Sequence, residues 1–270
     1  MNNLRIVGVE RHEILNQIVD AFPEWKRIDN EARRLVGPRS KREVWLEQGA
    51  AIAYLASQYN RSNARILEIG ACQGYSAALM KLSAPEAEVV TLEPDAAKHV
   101  KTARTLKILD ISVLKEYSAD FLVDCVEDGE EFDFIFVDGD HASVALDLPY
   151  WNLLKQDGLF LHHDFSPEGS KRECPPVWDA LNHFSEQLGH QPDVLVQDVS
   201  LVGMAGWYRR DLTEVWPPAG EQLDVENGYV VASIEVDGFP DDEPADQDTI
   251  DAMREESGTL PTNGEEESDD

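Results

Sequence analysis

"RILEIGACQGYSAALM", residues 65–80, decides the fold. An apolar run, Arg65 to Ile69, carries one acid, Glu68, and breaks at Gly70. Gly74 follows four positions later, and then come the small and apolar residues of a helical segment. A short buried strand, a glycine turn and a helix in that order make the first half of a strand–helix–strand unit.

Working outward, the same rhythm repeats. Strands are expected at "RILEIG" (65–70), "EVVTLEP" (88–94), "SVLKEY" (112–117), "FDFIFVDG" (132–139) and "GLFLHHDF" (158–165). Helices are expected at 75–82, 95–108, 118–126, 143–155 and 176–188. Continuous apolar strands followed by helices mean a parallel sheet covered on both faces. "DVLVQDV" (193–199) and "SLVGMAGWYRR" (200–210) are joined too tightly for a crossover helix, so they should form an antiparallel hairpin. The expected fold class is α/β, a doubly wound and mostly parallel seven-stranded sheet with an antiparallel last strand.

Upstream, "HEILNQIVDAF" (12–22) and "EVWLEQGAAIAYLASQY" (43–59) space their apolar residues as helices do, and basic, turn-rich "RLVGPRSKRE" between them reads as a loop or hinge. Residues 1–60 are therefore expected as an N-terminal helical cap or lid and 61–211 as the main domain. A C-terminal extension at 212–240, with one strand at 229–236, and a disordered acidic tail at 241–270 complete the division.

The chain has 53 acidic and 23 basic residues, a formal charge of −30. Residues 241–270 hold 13 acids and one base, so the tail carries −12 and the rest −18. Such a surface repels phosphate backbones and anionic lipid, so neither nucleic acid nor a membrane is an expected partner. An acidic body with 9 lysines against 14 arginines points to a halophilic protein, at home where salt screens self-repulsion. No apolar stretch approaches the roughly 20 residues of a membrane span. The opening "MNNLRIVGVERHEIL" has no apolar run of signal-peptide length, and the expectation is a cytoplasmic protein. Cys72, Cys125 and Cys174 are odd in number and far apart, which suits reduced thiols rather than a disulfide framework.

In open α/β sheets ligands sit beyond the carboxyl ends of the strands. The loop here reads Glu68-x-Gly70-x-x-x-Gly74, with Cys72 where a dinucleotide loop has its middle glycine, and it lacks a phosphate-binding lysine. Glu93 ends the second strand, where an acid can accept both ribose hydroxyls. A glycine loop and a ribose acid without phosphate machinery suggest an adenosyl cofactor lacking phosphates, and S-adenosylmethionine fits.

These segments resemble the class I S-adenosylmethionine-dependent methyltransferases. "LEIGACQGYSA" and "VVTLEPD" are similar to the catechol and caffeoyl-CoA type O-methyltransferases. "FIFVDGDH…LPYWNLLKQDGLFLHHD…PPVWDAL" resembles more closely a branch that includes macrolide-sugar and cephalosporin-pathway O-methyltransferases. The likeness spans about residues 45–210 and implies a Rossmann-like methyltransferase fold. It implies that Gly70 and Gly74 wrap the methionine part, Ser76 meets its carboxylate, Glu68 lies near its amino end and Glu93 holds the ribose. Ala119 and Asp120 would sit near the adenine. A tight turn with no ligand remains the alternative for the glycines, and a helix N-terminal acid for Asp120.

Asp138 and Asp164 end neighbouring strands, and two carboxylates at one mouth share a proton or bind a hard cation. The resemblance implies a divalent ion, magnesium or manganese, on both. The third ligand departs from the pattern: Phe165 stands where one branch has Asn, and His163 where the other has an acid. Imidazole shifts the preference toward softer ions. His141 corresponds to the expected base, with helix capping as its alternative, and Asp140 stays a substrate contact. His162 is expected on the opposite side of its strand from His163.

The expected function is thus metal-assisted O-methylation of a hydroxyl on a small molecule. The sequence leaves the oligomeric state open; N-terminal helices of this kind often pair subunits in the resembling enzymes, which keeps a homo-oligomer among the open readings. Two rival readings stay open: a metal-independent N-methyltransferase, and a non-catalytic adenosylmethionine-binding protein.

Overall fold

The computed structural model describes residues 9–37, 44–167, 169–197, 203–216, 223–224 and 229–230. An eight-stranded sheet runs in the order β1-β7-β8-β6-β5-β2-β3-β4. Its strands are β1 (Val9–Glu10), β2 (Arg65–Ile69), β3 (Glu88–Leu92), β4 (Ser112–Leu114), β5 (Phe132–Val137), β6 (Leu154–His163), β7 (Val194–Gln197) and β8 (Met204–Tyr208). Seven of them are the expected strands. All pairs are parallel except the two that β8 makes with β6 and β7. The two-residue β1 is an addition at the edge, beside β7.

Helices α1 (Arg11–Ala21), α2 (Trp25–Val36), α3 (Leu46–Ser57) and α4 (Tyr75–Ser83) share one core with one face of the sheet, through Ile66, Val89, Phe134, Phe136, Leu159 and Leu161. The opposite face, through Leu67, Ile69, Ile135, Val137 and Phe160, packs against α6 (Ser118–Asp128), α7 (Val144–Asp147) and α9 (Pro175–Leu188). Neighbouring residues of β2 alternate between the two cores, as the pleat requires of a strand buried on both sides. Helix α5 (Ala96–Leu106) completes the first face with Leu106, and the short α8 (Gly169–Glu173) precedes α9.

Three expectations need correction. Helix α2 lies where none was expected, and the basic "RLVGPRSKRE" segment begins inside it. It ends at Val36, and residues 38–43 lie outside the described residues. The helix expected at 143–155 is broken into a 3₁₀ turn at His141–Ser143, the four-residue α7 and a 3₁₀ stretch at Leu148–Leu153. Pro149 lacks the N–H that an α-helical turn needs there. Strand β6 accordingly starts at Leu154, four residues before its expected beginning.

Of the strand expected at 229–236, Tyr229–Val230 pairs antiparallel with Leu223–Asp224, and 231–236 lie outside the described residues. So does the tail at 241–270. The described residues all fall within one compact unit. Among the described residues no helix is long and apolar enough to cross a membrane.

Candidate active site

The strand order reverses at β2, which has β3 on one side and β5 on the other. A crevice opens at such a switch point, beyond the carboxyl ends of the strands. Gly70 leaves β2 there with φ 99°, and a Cβ on it would lie 2.2 Å from the Asp138 carbonyl oxygen. The Asp138 N–H donates to the Ile69 carbonyl at 2.8 Å, tying the two strand ends together. Gly74, at φ 84°, opens α4, and a Cβ there would meet Leu106 at 2.8 Å. Gly70 is required by the backbone crowding it and Gly74 by its left-handed φ, whatever ligand is bound.

Around this turn the expected cofactor residues gather in part. Glu68 is fully buried and accepts from the Thr91 hydroxyl, while its Oε1 has no well-aligned partner. Burial, outweighing Ser76 and Thr91, pushes its pKa up to about 7. Ser76 is buried in the first turn of α4, whose N-terminus has no side-chain cap, so backbone N–H groups there are available to an anion. Glu93 is buried after β3, with Oε1 accepting from the Asp95 N–H at 3.0 Å. Ala119 is half-buried and Asp120 exposed in the first turn of α6.

The second cluster forms where β5 and β6 end side by side. His163 Nδ1 lies 3.1 Å from Asp138 Oδ1 and 2.9 Å from Asp164 Oδ1. His141 Nε2 lies 2.5 Å from Asp164 Oδ2. Asp164 thus faces one histidine with each oxygen, from a backbone in the left-handed region at φ 61°. Ser170 Oγ holds this turn by donating to the Asp164 carbonyl at 2.6 Å. Burial works to raise the Asp164 pKa, but the hydrogen bonds and charges of His163 and His141 hold it below its ordinary value. Burial works to lower His163, but the two carboxylates prevail and push it up to about 10.

The donor set fits a divalent cation. Asp138, His163 and Asp164 each offer an atom within 4.8 Å of the others. His163 Nδ1 is buried beside both carboxylates yet makes no well-aligned hydrogen bond. Its tautomer is fixed from the far side. Gln48 Oε1 accepts from the Trp45 N–H at 2.8 Å, which identifies it as the amide oxygen, and it also lies 3.0 Å from His163 Nε2. Nε2 must therefore donate; with a pKa of about 10 the ring also carries a proton on Nδ1, between the two aspartates, and a cation held there would displace that proton and take the Nδ1 lone pair.

Phe165 turns away to pack against Trp207, and His162 faces Phe160 in the other core, opposite His163 as expected. His162 is buried, which lowers its pKa to about 4 and keeps it neutral. Asp140 is exposed and accepts from the Ser143 hydroxyl at 2.8 Å.

Residues 67–165 match the family model described as a methyltransferase domain. The chain has the class I methyltransferase fold. Two solved structures illustrate it. An O-methyltransferase from Bacillus cereus in complex with SAH is 18% identical with a TM-score of 0.54, over 72% of this chain and 96% of that one. An SAH-bound methyltransferase from Podospora anserina is 20% identical with a TM-score of 0.50, over 74% and 98%. The likeness read from the glycine loop and the two aspartate strand ends therefore holds at the level of fold.

Two contacts of this site were not anticipated. Gln48 is 115 positions from His163, and Cys174 Sγ lies 3.6 Å from His141 Nδ1, 33 positions away. Burial pushes the Cys174 thiol up to about 11. Gln48 had one local signal, its place three residues after the start of an apolar helix, where it caps the Trp45 N–H. Cys174 had none.

Proposed function

We propose that this methyltransferase-fold protein uses S-adenosylmethionine to methylate a hydroxyl of a small molecule, aided by a divalent cation. The observation that carries this reading is the convergence of Asp138, His163, Asp164 and His141 at the ends of β5 and β6. They lie beside the glycine turn, which is linked directly to Asp138. The orphaned oxygen of Glu68 and the uncapped start of α4 suit the ammonium and carboxylate of an amino acid. Glu93 suits ribose hydroxyls, and Ala119 and Asp120 take the adenine side. When bound, the sulfonium supplies an electrophilic methyl group, and a cation on Asp138, His163 and Asp164 supplies Lewis acidity to the acceptor oxygen.

The chain's own groups do the rest. Asp164 holds the His141 Nε2–H and offsets the positive charge that develops when the ring takes a proton. That leaves Nδ1 as the basic nitrogen. Its contact with the Cys174 thiol is a weak sulfur hydrogen bond at 3.6 Å, readily exchanged for a substrate hydroxyl. The side chain of His141 is 47% exposed, so an acceptor can reach it.

The test is calorimetric binding of S-adenosylmethionine to the full chain in high salt, followed by labelled-methyl transfer to a panel of catechols and sugars. Magnesium, manganese or a chelator is present in parallel samples. Affinity with cation-dependent O-methylation is expected. Absence of affinity removes the methyltransferase reading, undiminished transfer after chelation removes the cation, and label on nitrogen alone supports the metal-independent N-methyltransferase.

A further inference from the structure

Cys174 plays no part in the chemistry above, yet it is buried at the start of α9 against the central histidine. A carboxylate can only accept, so the His141 nitrogen facing Asp164 carries the ring proton, and Nδ1 of the neutral ring turns its lone pair toward Cys174 Sγ. Donor atoms of His141, Asp164 and Cys174 all lie within 4.8 Å of one another. The left-handed backbone at Asp164 makes this cluster, because it gives one oxygen to His163 and the other to His141.

We propose that Cys174 and His141, backed by Asp164, form a second metal site, for a soft divalent ion of the zinc class. Nitrogen and sulfur bound to tetrahedral zinc at about 2.1 and 2.3 Å stand about 3.6 Å apart. That is the Nδ1–Sγ separation already present, 3.6 Å. A histidine that binds metal through one nitrogen while giving its other N–H to a carboxylate is the arrangement that orients such ligands. His141 has that carboxylate in place.

Thiolate selects zinc-class ions over magnesium, whereas the oxygen-rich set of Asp138 and Asp164 accepts harder ones, so neighbouring sites that share Asp164 sort ions by softness. Binding forms an S–metal and an N–metal bond, releases the thiol proton to solvent and leaves the remaining coordination positions to water. The exposed edge of His141 gives an ion access. The proposal does not depend on methyl transfer. Should the proposed chemistry also hold, the ion would occupy the lone pair that His141 needs as a base, and the site would be inhibitory.

The test uses the full-length, metal-stripped chain titrated with Co²⁺ as a spectroscopic substitute for zinc. A thiolate-to-cobalt charge-transfer absorption in the near ultraviolet is expected, bleached when Zn²⁺ displaces the cobalt. It should be lost in Cys174→Ser and retained in Cys125→Ser and Asp138→Asn. Cobalt binding without that absorption, or absorption persisting in Cys174→Ser, overturns the proposal. Wild-type protein supplies a second readout that needs no variant, alkylation of each cysteine followed by mass spectrometry. Zn²⁺ at ten times its dissociation constant should slow alkylation of Cys174 about tenfold and leave Cys72 unaffected. Equal rates at Cys174 with and without Zn²⁺ overturn it as well.

Discussion

Gln48 and His163 meet across 115 positions of sequence, at 3.0 Å between Oε1 and Nε2. The pair links the first turn of α3 to the end of β6, so an N-terminal helix sets which nitrogen of a strand histidine faces the two aspartates. Gln48→Leu removes that constraint and leaves the three proposed ligands in place. Divalent-cation affinity is expected to fall about 10- to 100-fold, the usual cost of losing such an outer partner. Calorimetry with Mn²⁺ measures it, and an unchanged affinity would show that Gln48 does not orient the ring.

His141→Ala should lower kcat by about 10²- to 10⁴-fold, the range for a general base. Adenosylmethionine affinity should stay near the wild-type value, because the ring lies with the acceptor-side cluster rather than with the glycine turn. Steady-state kinetics beside a binding isotherm separates the two. A loss of cofactor affinity equal to the loss of rate would assign His141 a structural role instead.

Glu68 makes stability fall as pH rises. Its folded pKa of about 7 exceeds its ordinary 4.5, so between those values the folded chain keeps a proton the unfolded chain has lost. Stability is greatest below about 4.5 with respect to this group and is reduced fully above 7, by about 3 kcal/mol. Asp147, raised from 3.8 to about 7 chiefly by burial, acts in the same direction. Thermal melts at pH 5 and pH 8 should show Glu68→Gln gaining relative to wild type at the higher pH. Parallel pH profiles for the two proteins would contradict the assignment.

The net charge of −30 predicts a melting temperature that climbs with KCl. The screening length shrinks from about 10 Å at 0.1 M to about 3 Å at 1 M, which quiets repulsion between surface carboxylates. Differential scanning calorimetry from low to molar KCl tests this. A flat or falling profile would rule out salt adaptation.

The strands that place the site were legible because each is a short, mainly apolar run with an acid at or next to its carboxyl end: Glu68, Glu93, Asp138, Asp164. Adjacency of β5 and β6 then brings Asp138 to His163 and Asp164 with no further information. Helix α2 escaped notice because its buried apolar stripe is sparse, Trp25, Ile28, Ala32 and Val36 among charged neighbours. Hydrophobic spacing predicts one helix after His141 because it does not register a proline's missing donor. Gln48 and Cys174 were hidden for another reason: their partners are set by three-dimensional packing, which local periodicity does not encode.

The position of β8 bears on how the chain is made. This strand follows both β6 and β7 in the chain, yet it sits between them in the sheet, pairing Met204 with His163 of β6 on one side and β7 on the other. Until residue 208 emerges, a nascent chain holds β6 with one bare edge, and the turn that presents His163 and Asp164 is braced by β5 on one side alone. Assembly of the mouth therefore waits on synthesis of the β7–β8 pair, and a stalled or clipped product ending before Met204 would display an unpaired apolar strand to any chaperone or sister chain nearby.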